Sequence, residues 1–234
     1  MRRIISLIVN PVAGMGGSVG LKGTDGGTYK KALKLGAEPV TPKRTKELLA
    51  RIQRSADIIL LAAPGKMGAQ YVEALGAACT VVGTIGEETS AEETKRIAAE
   101  MLDRGAQLLA FVGGDGTARD IYDAVGSKIP VVGVPAGVVK VFSAVFAVSA
   151  RAAAAMVDAF VEGADVVEKE VLDIDEEAFR EDRLASRLYG YLVVPEVRTL
   201  LQPGKAASNV SGSSEKAKEE IATHVVEEMD PKAL

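Results

Sequence analysis

Short apolar runs alternate with longer segments of helical periodicity over the first 165 residues. The runs are rich in Val, Ile and Leu, as is typical of strands buried on both faces of a parallel sheet. The predicted strands are Ile4–Val9, Asp57–Ala63, Thr80–Gly83, Leu108–Val112 and Pro130–Val134. The predicted helices are Arg44–Arg54, Lys66–Leu75, Ala91–Arg104, Ala118–Val125 and Ala150–Glu162. This alternation predicts an α/β fold, an open parallel sheet with helices on both faces.

The predicted helix Ala91–Arg104 carries signals at both of its ends. Ser90 and Glu93 have the spacing of a capping box, in which each side chain accepts a hydrogen bond from the backbone N–H of the other residue. At the other end, Gly105 follows a basic last turn, and glycine readily takes the left-handed conformation that ends helices.

The pattern changes after Gly163, where extended β-branched segments replace the long helices. Val166–Glu176 and Arg187–Val194 have no long helix between them, so we expect them to pair antiparallel. Gln202–Ser214 is rich in Gly, Ser, Pro and Asn and is predicted to be a loop. An amphipathic helix is predicted over Ser214–Met229.

These changes predict two domains in the 234 residues, an α/β domain at 1–165 and a smaller β-rich domain with a C-terminal helix at 166–234. The length exceeds the usual size of a single domain, about 100–150 residues, which agrees with one full domain and a smaller one.

Charge and cysteine content exclude several classes of protein. The 28 basic and 32 acidic residues give a net charge of −4, and no long basic run is present, so the sequence lacks the electrostatic footprint of a nucleic-acid or anionic-membrane binder. The single cysteine, Cys79, cannot form an internal disulfide. The apolar run Ile4–Val9 is too short for a secretory core or a membrane span. We therefore expect a cytoplasmic protein.

The strongest local motif is Gly113-Gly114-Asp115-Gly116-Thr117, between a predicted strand and a predicted helix. Glycines let the backbone approach a polyphosphate closely, and the N–H groups at a helix start favour an anion. A carboxylate there repels phosphate, so we expect Asp115 either to take a proton from an attacking hydroxyl or to hold Mg²⁺ against the phosphates. The alternative is a tight turn in which Asp115 is only the helix N-cap.

Two further glycine-rich turns follow predicted strands. Asn10–Gly17 contains Gly14 and Gly16, and Gly133–Lys140 follows the fifth strand. Parallel sheets bind their ligands at the carboxyl ends of the strands, so the turn Asn10–Gly17 and the motif Gly113–Thr117 are expected to face one crevice. Neither the dinucleotide-binding fingerprint nor the P-loop motif is present. Lys140 could supply a phosphate-facing cation or be a solvated surface lysine.

The order of these segments resembles that of the ATP-NAD kinase family. The resemblance covers nearly the whole chain and is carried by Asn10-Pro11 with its glycine-rich turn, Gly113–Thr117, Gly133–Gly137, Ser143–Ala147, Val171–Glu176 and Leu188–Leu192. More specifically, the sequence resembles an archaeal and bacterial branch of the family that includes proteins similar to the acetoin-catabolism protein X. The Gly-Gly-Asp-Gly motif alone is shared with diacylglycerol, sphingosine and 6-phosphofructokinase relatives.

The resemblance implies an α/β nucleotide-binding domain followed by a β-rich domain, with the active site between them. The implied reaction is phosphoryl transfer from ATP or polyphosphate to the 2′-hydroxyl of NAD, giving NADP, with Mg²⁺ neutralising the phosphates. Asp115 would be the catalytic residue that activates the hydroxyl, and no side chain is assigned as a metal ligand. The residues assigned to nucleotide binding are Asn10, Gly14, Gly16, Gly113, Gly114, Gly116, Thr117, Asp120 and Lys140.

Two of these assignments have alternatives. Asp120 is expected either to orient the substrate or, as a first-turn carboxylate, to complement the helix dipole. Val138-Val139-Lys140 is one residue longer than the usual family segment, which leaves the role of Lys140 open.

The phosphoryl acceptor also stays open. Family members carry an Asn-Glu or Asn-Asp pair on a strand of the second domain, whereas the corresponding Leu188–Leu192 has none. Another nucleotide, a lipid or a sugar alcohol could take the place of NAD, and a nucleotide-binding protein without turnover is a further alternative. An aromatic content of 4% and the lack of a basic amphipathic helix disfavour a lipid kinase.

The resemblance carries two further expectations. It allows a homo-oligomer, because family members generally assemble through the second domain. Relatives also extend past the position of Leu234, so we expect a truncated or naturally shortened member whose second domain is incomplete.

Overall fold

A five-stranded parallel sheet forms the centre of the protein. Its strands are β1 (Arg3–Val9), β2 (Ile58–Ala62), β3 (Thr80–Val81), β4 (Leu108–Gly113) and β5 (Val131–Pro135). Across the sheet they lie in the order β3-β2-β1-β4-β5. The computed structural model describes residues 2–21, 27–86, 89–137, 141–174 and 186–202, all within the compact unit Met1–Gly204.

Helices cover the sheet in two groups. These are α3 (Thr41–Arg51), α4 (Ala69–Glu73), α5 (Ala91–Asp103), α6 (Asp115–Val125) and α7 (Ala150–Glu162), whereas α1 (Met15–Ser18) and α2 (Gly27–Lys34) pack on each other. Helix α3 contacts α4 and α7, and α5 contacts α6. Right-handed crossovers on the two sides of β1 place these groups on opposite faces. The predicted α/β architecture is therefore confirmed.

Among the described residues, no helix is both long enough and apolar enough to cross a membrane. The cytoplasmic location stays a prediction.

The central strands are buried because helices cover both of their faces. Every residue of β4 is buried, and so is β1 from Ile5 to Val9. The one polar residue in that part of β1, Ser6, is fully buried, and its hydroxyl donates to the Leu108 carbonyl at 3.1 Å. Phe111 packs edge-to-face on Phe146 with ring centroids 5.4 Å apart.

Helix α5 has the predicted capping box and the predicted glycine after its end, but not the predicted basic last turn, because the helix ends at Asp103 and Arg104 is its C-cap. Ser90 and Glu93 form the capping box, with the Ser90 hydroxyl accepting from the Glu93 amide at 3.3 Å. The Glu93 carboxylate accepts from the Ser90 amide at 3.0 Å and from the Gly86 amide at 2.7 Å. After the helix, Gly105 takes the left-handed conformation with φ +82°. The capping box therefore also fastens the incoming connection.

A two-stranded antiparallel sheet follows α7, as predicted. It consists of β6 (Val166–Ile174) and β7 (Ser186–Pro195), with a register shift between Val171 and Leu172. Strand β7 approaches α6 closely at Gly190, where a Cβ atom would overlap the ring of Tyr122. The small β-rich part is thereby anchored on a helix of the α/β part.

Several predicted bounds differ from the structure. Helix α3 begins three residues earlier than predicted, and α6 begins at Asp115 rather than at Ala118. Helices α1 and α2 were not predicted, because glycine has a low helix propensity and both begin in glycine-rich sequence. Most of the predicted loop Gln202–Ser214 and the whole predicted helix Ser214–Met229 lie outside the described residues. The division into domains at residue 165 stays a prediction.

The capping box gives a direct test of how α5 is held. Replacing Ser90 by alanine removes the acceptor for the Glu93 amide, and we expect the free energy of unfolding to fall by about 1 kcal/mol. Urea denaturation measures this change. Thr84→Ala is the matched control, because Arg96 binds the carbonyl of Thr84 and not its side chain. Equal stability of Ser90→Ala and Thr84→Ala would contradict the assignment.

Candidate functional site

The order of the strands locates the crevice of the sheet. Strand β1 pairs in parallel with β2 on one side and with β4 on the other. The chain runs outward from β1 through β2 to β3 and then returns to β4, so the direction of winding reverses between β1 and β4. Parallel sheets bind ligands outside the carboxyl ends of the strands at such a point. Asn10 follows β1 there, and Asp115 follows β4.

The first two glycine-rich turns are joined by a side-chain hydrogen bond. The Asn10 Nδ2 donates to the Thr117 Oγ1 at 3.1 Å, while the Asn10 Oδ1 accepts from the Val12 amide at 3.2 Å. Thr117 is almost fully buried. The structure therefore brings these two predicted site residues together. Their side chains connect the turn Asn10–Gly17 with the turn Gly113–Thr117.

The third turn closes against the other two. The Ala136 amide donates to the Gly113 carbonyl at 2.9 Å. Gly14 has φ +79°, and a Cβ atom there would lie 3.0 Å from the Ala136 oxygen and from the Gly137 Cα. Only glycine combines this conformation with so close an approach of two backbones. The first two turns thus meet at one edge of the sheet, as predicted, and the described part of the third turn joins them there.

The glycines of the central motif have two different environments. A Cβ atom on Gly113 would overlap the side chain of Thr117, so this glycine is required by packing. On Gly114 and Gly116 a Cβ atom would meet nothing within 4 Å. Neither Gly114 nor Gly116 has a positive φ. Their lack of a side chain therefore leaves space open at the start of α6.

Asp115 is the first residue of α6, and Gly114 is its N-cap. The expectation that Asp115 could be the N-cap itself is therefore wrong. Its carboxylate crosses instead to another segment: the Phe142 amide donates to Oδ2 at 2.9 Å and to Oδ1 at 3.1 Å, and the Ser143 amide donates to Oδ1 at 2.8 Å. Hydrogen bonds between amides and a carboxylate are charge-assisted and fix its orientation.

Phe142 and Ser143 had no predicted role in the site. Backbone amides carry no side-chain signature, so residue types alone could not identify them. One signal was available for Ser143, because it is a lone polar residue in the apolar run Val141–Val148. The structure buries it to 1% exposure.

Three further predicted site residues are Gly16, Asp120 and Lys140. Gly16 is buried within α1. Asp120 lies in the second turn of α6, not in its first turn, because the helix begins at Asp115. Its Oδ1 lies 4.0 Å from the Lys95 ammonium of α5. Lys140 lies outside the described residues.

A charged cluster beside Asp120 joins α5, α6 and β7. The Lys95 ammonium lies 2.9 Å from the Asp123 Oδ2, and the Tyr189 hydroxyl donates to the Asp123 Oδ1 at 2.9 Å. The hydrogen bond from Lys95 lowers the pKa of the Asp123 carboxyl. The same carboxylate raises the pKa of the Tyr189 hydroxyl. This cluster fixes β7 on the helices.

Within the described ranges, no group of three or more His, Cys, Asp or Glu side chains could hold a metal ion. Mg²⁺ often binds through one or two carboxylates together with substrate phosphates, so such a group is not required for a magnesium-dependent phosphotransferase.

Fold and site together define an α/β protein whose crevice lies where the winding of a parallel sheet reverses, lined by glycine-rich turns and one oriented aspartate. The family model of the ATP-NAD kinase N-terminal domain matches residues 5–165, more than half of the 234 residues. The chain belongs to the ATP-NAD kinase family. No curated protein matches the sequence. The narrower branch within the family stays a prediction.

The charged cluster predicts a pH-dependent contribution to stability. Because the folded-state pKa of Asp123 is lowered, its stabilisation is present at neutral pH and is lost as the pH falls through that pKa, below the ordinary value of about 4. Asp123→Asn should therefore be less stable than wild type at pH 7, by about 1 kcal/mol or less, with a smaller difference at pH 3. Urea denaturation at both pH values measures this.

Asp103→Asn is the control for the loss of one carboxylate, because Asp103 is exposed at the end of α5. A difference between Asp123→Asn and wild type that is the same at pH 7 and pH 3 would contradict the role of the Asp123 charge.

Proposed function

We propose that the protein is a phosphotransferase that moves a phosphoryl group from ATP, or from polyphosphate, to the 2′-hydroxyl of NAD, giving NADP. Membership in the ATP-NAD kinase family supports kinase chemistry in general. The observation that carries the more specific proposal is the position of the Asp115 carboxylate, oriented by two amides at the edge of the crevice between β1 and β4.

The open space at Gly114 and Gly116 supports a phosphate site at the start of α6. Backbone N–H groups in the first turn of a helix have no partner within the helix, and the helix dipole favours an anion there. In this proposal, the turns Asn10–Gly17 and Gly113–Thr117 hold the two nucleotides.

Asp115 acts in this proposal as the general base. It takes the proton from the acceptor hydroxyl as the hydroxyl oxygen attacks the terminal phosphorus of ATP, and ADP leaves. The base must lie within hydrogen-bonding distance of that hydroxyl, so its orientation matters as much as its charge. The bonds from the Phe142 and Ser143 amides supply such an orientation.

The magnesium ion enters this scheme as part of the substrate, bound to the phosphates of ATP. It neutralises the charge that develops on the transferred group. Asp115 is a carboxylate in the first turn of α6, so the ion would also reduce its repulsion from the phosphates.

A second candidate function is nucleotide binding without turnover. One observation favours it: Asp115 already has a structural task, since its carboxylate accepts hydrogen bonds from the Phe142 and Ser143 amides. A carboxylate retained for that task alone would be present in a protein that has no catalytic activity. Binding and turnover must therefore be measured separately.

Gly116 provides the test of binding. Gly116→Ala adds a methyl group in open space at the start of α6, and alanine favours the helix, so stability should be unchanged or raised by up to about 1 kcal/mol. The same methyl group should obstruct phosphate and raise the Kd for MgATP about tenfold or more. Titration calorimetry and urea denaturation measure the two effects.

Gly113→Ala is the contrasting variant, because its added Cβ overlaps the side chain of Thr117. It should lose about 1–3 kcal/mol of stability by overpacking. Unchanged affinity of Gly116→Ala for MgATP would exclude a phosphate site beside this glycine.

Asp115 provides the test of turnover. Asp115→Asn removes the base, so the rate of NADP formation from NAD and MgATP should fall by about 10²–10⁴-fold in kcat. A coupled NADP assay measures the rate, and urea denaturation checks that the variant is folded. Asp103→Asn on α5 should retain wild-type activity.

Equal rates for wild type and Asp115→Asn would show that the base assignment is wrong. If a lipid or a sugar alcohol were phosphorylated and NAD were not, only the assignment of NAD as the acceptor would be wrong. Nucleotide binding with no product from any of these acceptors would favour the second candidate.

A further inference from the structure

The segment after the third turn, Val141–Val148, lies between Asp115 and β6. On one side, its Phe142 and Ser143 amides donate to the Asp115 carboxylate. On the other side, the Ser143 hydroxyl donates to the Leu172 carbonyl at 3.1 Å and accepts from the Leu172 amide at 2.9 Å. Ser143 thus bonds to Asp115 through its backbone and to β6 through its side chain.

Neighbouring contacts fix the same segment. The Ala144 amide donates to the Glu170 carbonyl at 2.9 Å. Phe146 is fully buried and forms a parallel bridge with Gly133 of β5. The segment therefore lies between β5 and β6.

Ser143 bonds β6 where its pairing with β7 is irregular. The register of β6 and β7 shifts between Val171 and Leu172, and Leu172 is the residue whose amide and carbonyl both bond Ser143. Irregularities of this kind occur often beside active sites, where they redirect a side chain or end a pairing. Here the irregularity coincides with the attachment of the segment that holds Asp115.

We propose that Ser143 is a positioning residue for Asp115. Its hydroxyl fixes the peptide that presents the Phe142 and Ser143 amides, and these amides set the direction of the carboxylate. Strand β6 thereby determines the orientation of the Asp115 carboxylate, which belongs to helix α6. The catalytic part of this inference rests on the proposed function, whereas the positioning itself can be measured without turnover.

Ser143→Ala removes both bonds to Leu172 and keeps the Ser143 amide in the backbone. We expect kcat to fall about ten- to hundredfold, because a small displacement of a catalytic group has effects of this size, while the KM values for NAD and MgATP change less than about twofold. Ser143→Thr retains the hydroxyl and should recover most of kcat.

Ser6→Ala is the matched control. Ser6 is also a fully buried serine whose hydroxyl bonds a backbone carbonyl, that of Leu108, but it lies within the central sheet. This variant should lose stability and leave kcat unchanged. The comparison separates a general loss of stability from a displaced carboxylate.

A second measurement reports the geometry without catalysis. In wild type, the Phe142 and Ser143 amides should be protected from hydrogen exchange, because they donate to Asp115. By NMR, Asp115→Asn and Ser143→Ala should both accelerate this exchange and shift both amide resonances, whereas Ser6→Ala should not.

The results would overturn the positioning role if Ser143→Ala lost stability as Ser6→Ala does but kept wild-type kcat and wild-type protection of both amides. If wild type phosphorylated none of the acceptors tested, the proposed function would fail. The exchange of the two amides would then still decide the positioning role.

Discussion

The hydrogen bonds between the Asp115 carboxylate and the amides of Phe142 and Ser143 connect the parts of the site with one another. They join the start of α6 to the segment after the third turn and, through Ser143, to β6. A part-buried amide that loses its acceptor costs about 1–3 kcal/mol, so the carboxylate has a structural task before any ligand binds. The ionised Asp115 carboxylate, which accepts hydrogen bonds from the two amides, is also the form that can take a proton from a hydroxyl.

Much of the fold was predictable because it depends on local patterns. The apolar runs became the buried central strands, and the predicted helix Ala150–Glu162 has the bounds of α7. The capping residues of α5 act as their spacing predicts. Helices α1 and α2 were missed because packing stabilises them: Met15 and Ala32 are buried in a small apolar cluster of their own. Composition does not reveal such packing.

The site was predictable only in part. A general property of parallel sheets was enough to predict that the turns Asn10–Gly17 and Gly113–Thr117 converge. The sequence could not show that Gly113 is required by the Thr117 side chain while Gly116 faces open space, because both are glycines of one motif. It also could not predict that Asp120 lies near the Lys95 ammonium, since that depends on how α5 packs on α6. Motifs identify the turns, and packing determines what each residue does.

The residues of the site are far apart along the chain. The bond between Asn10 and Thr117 spans 107 positions, and the contacts of Ser143 with Leu172 add a strand that is synthesised later still. Contacts between distant positions form late because a long loop must close first. A nascent chain released only as far as β5 has all five strands of the parallel sheet but not yet the segment that holds Asp115. The Asp115 carboxylate is therefore synthesised before the two amides that orient it.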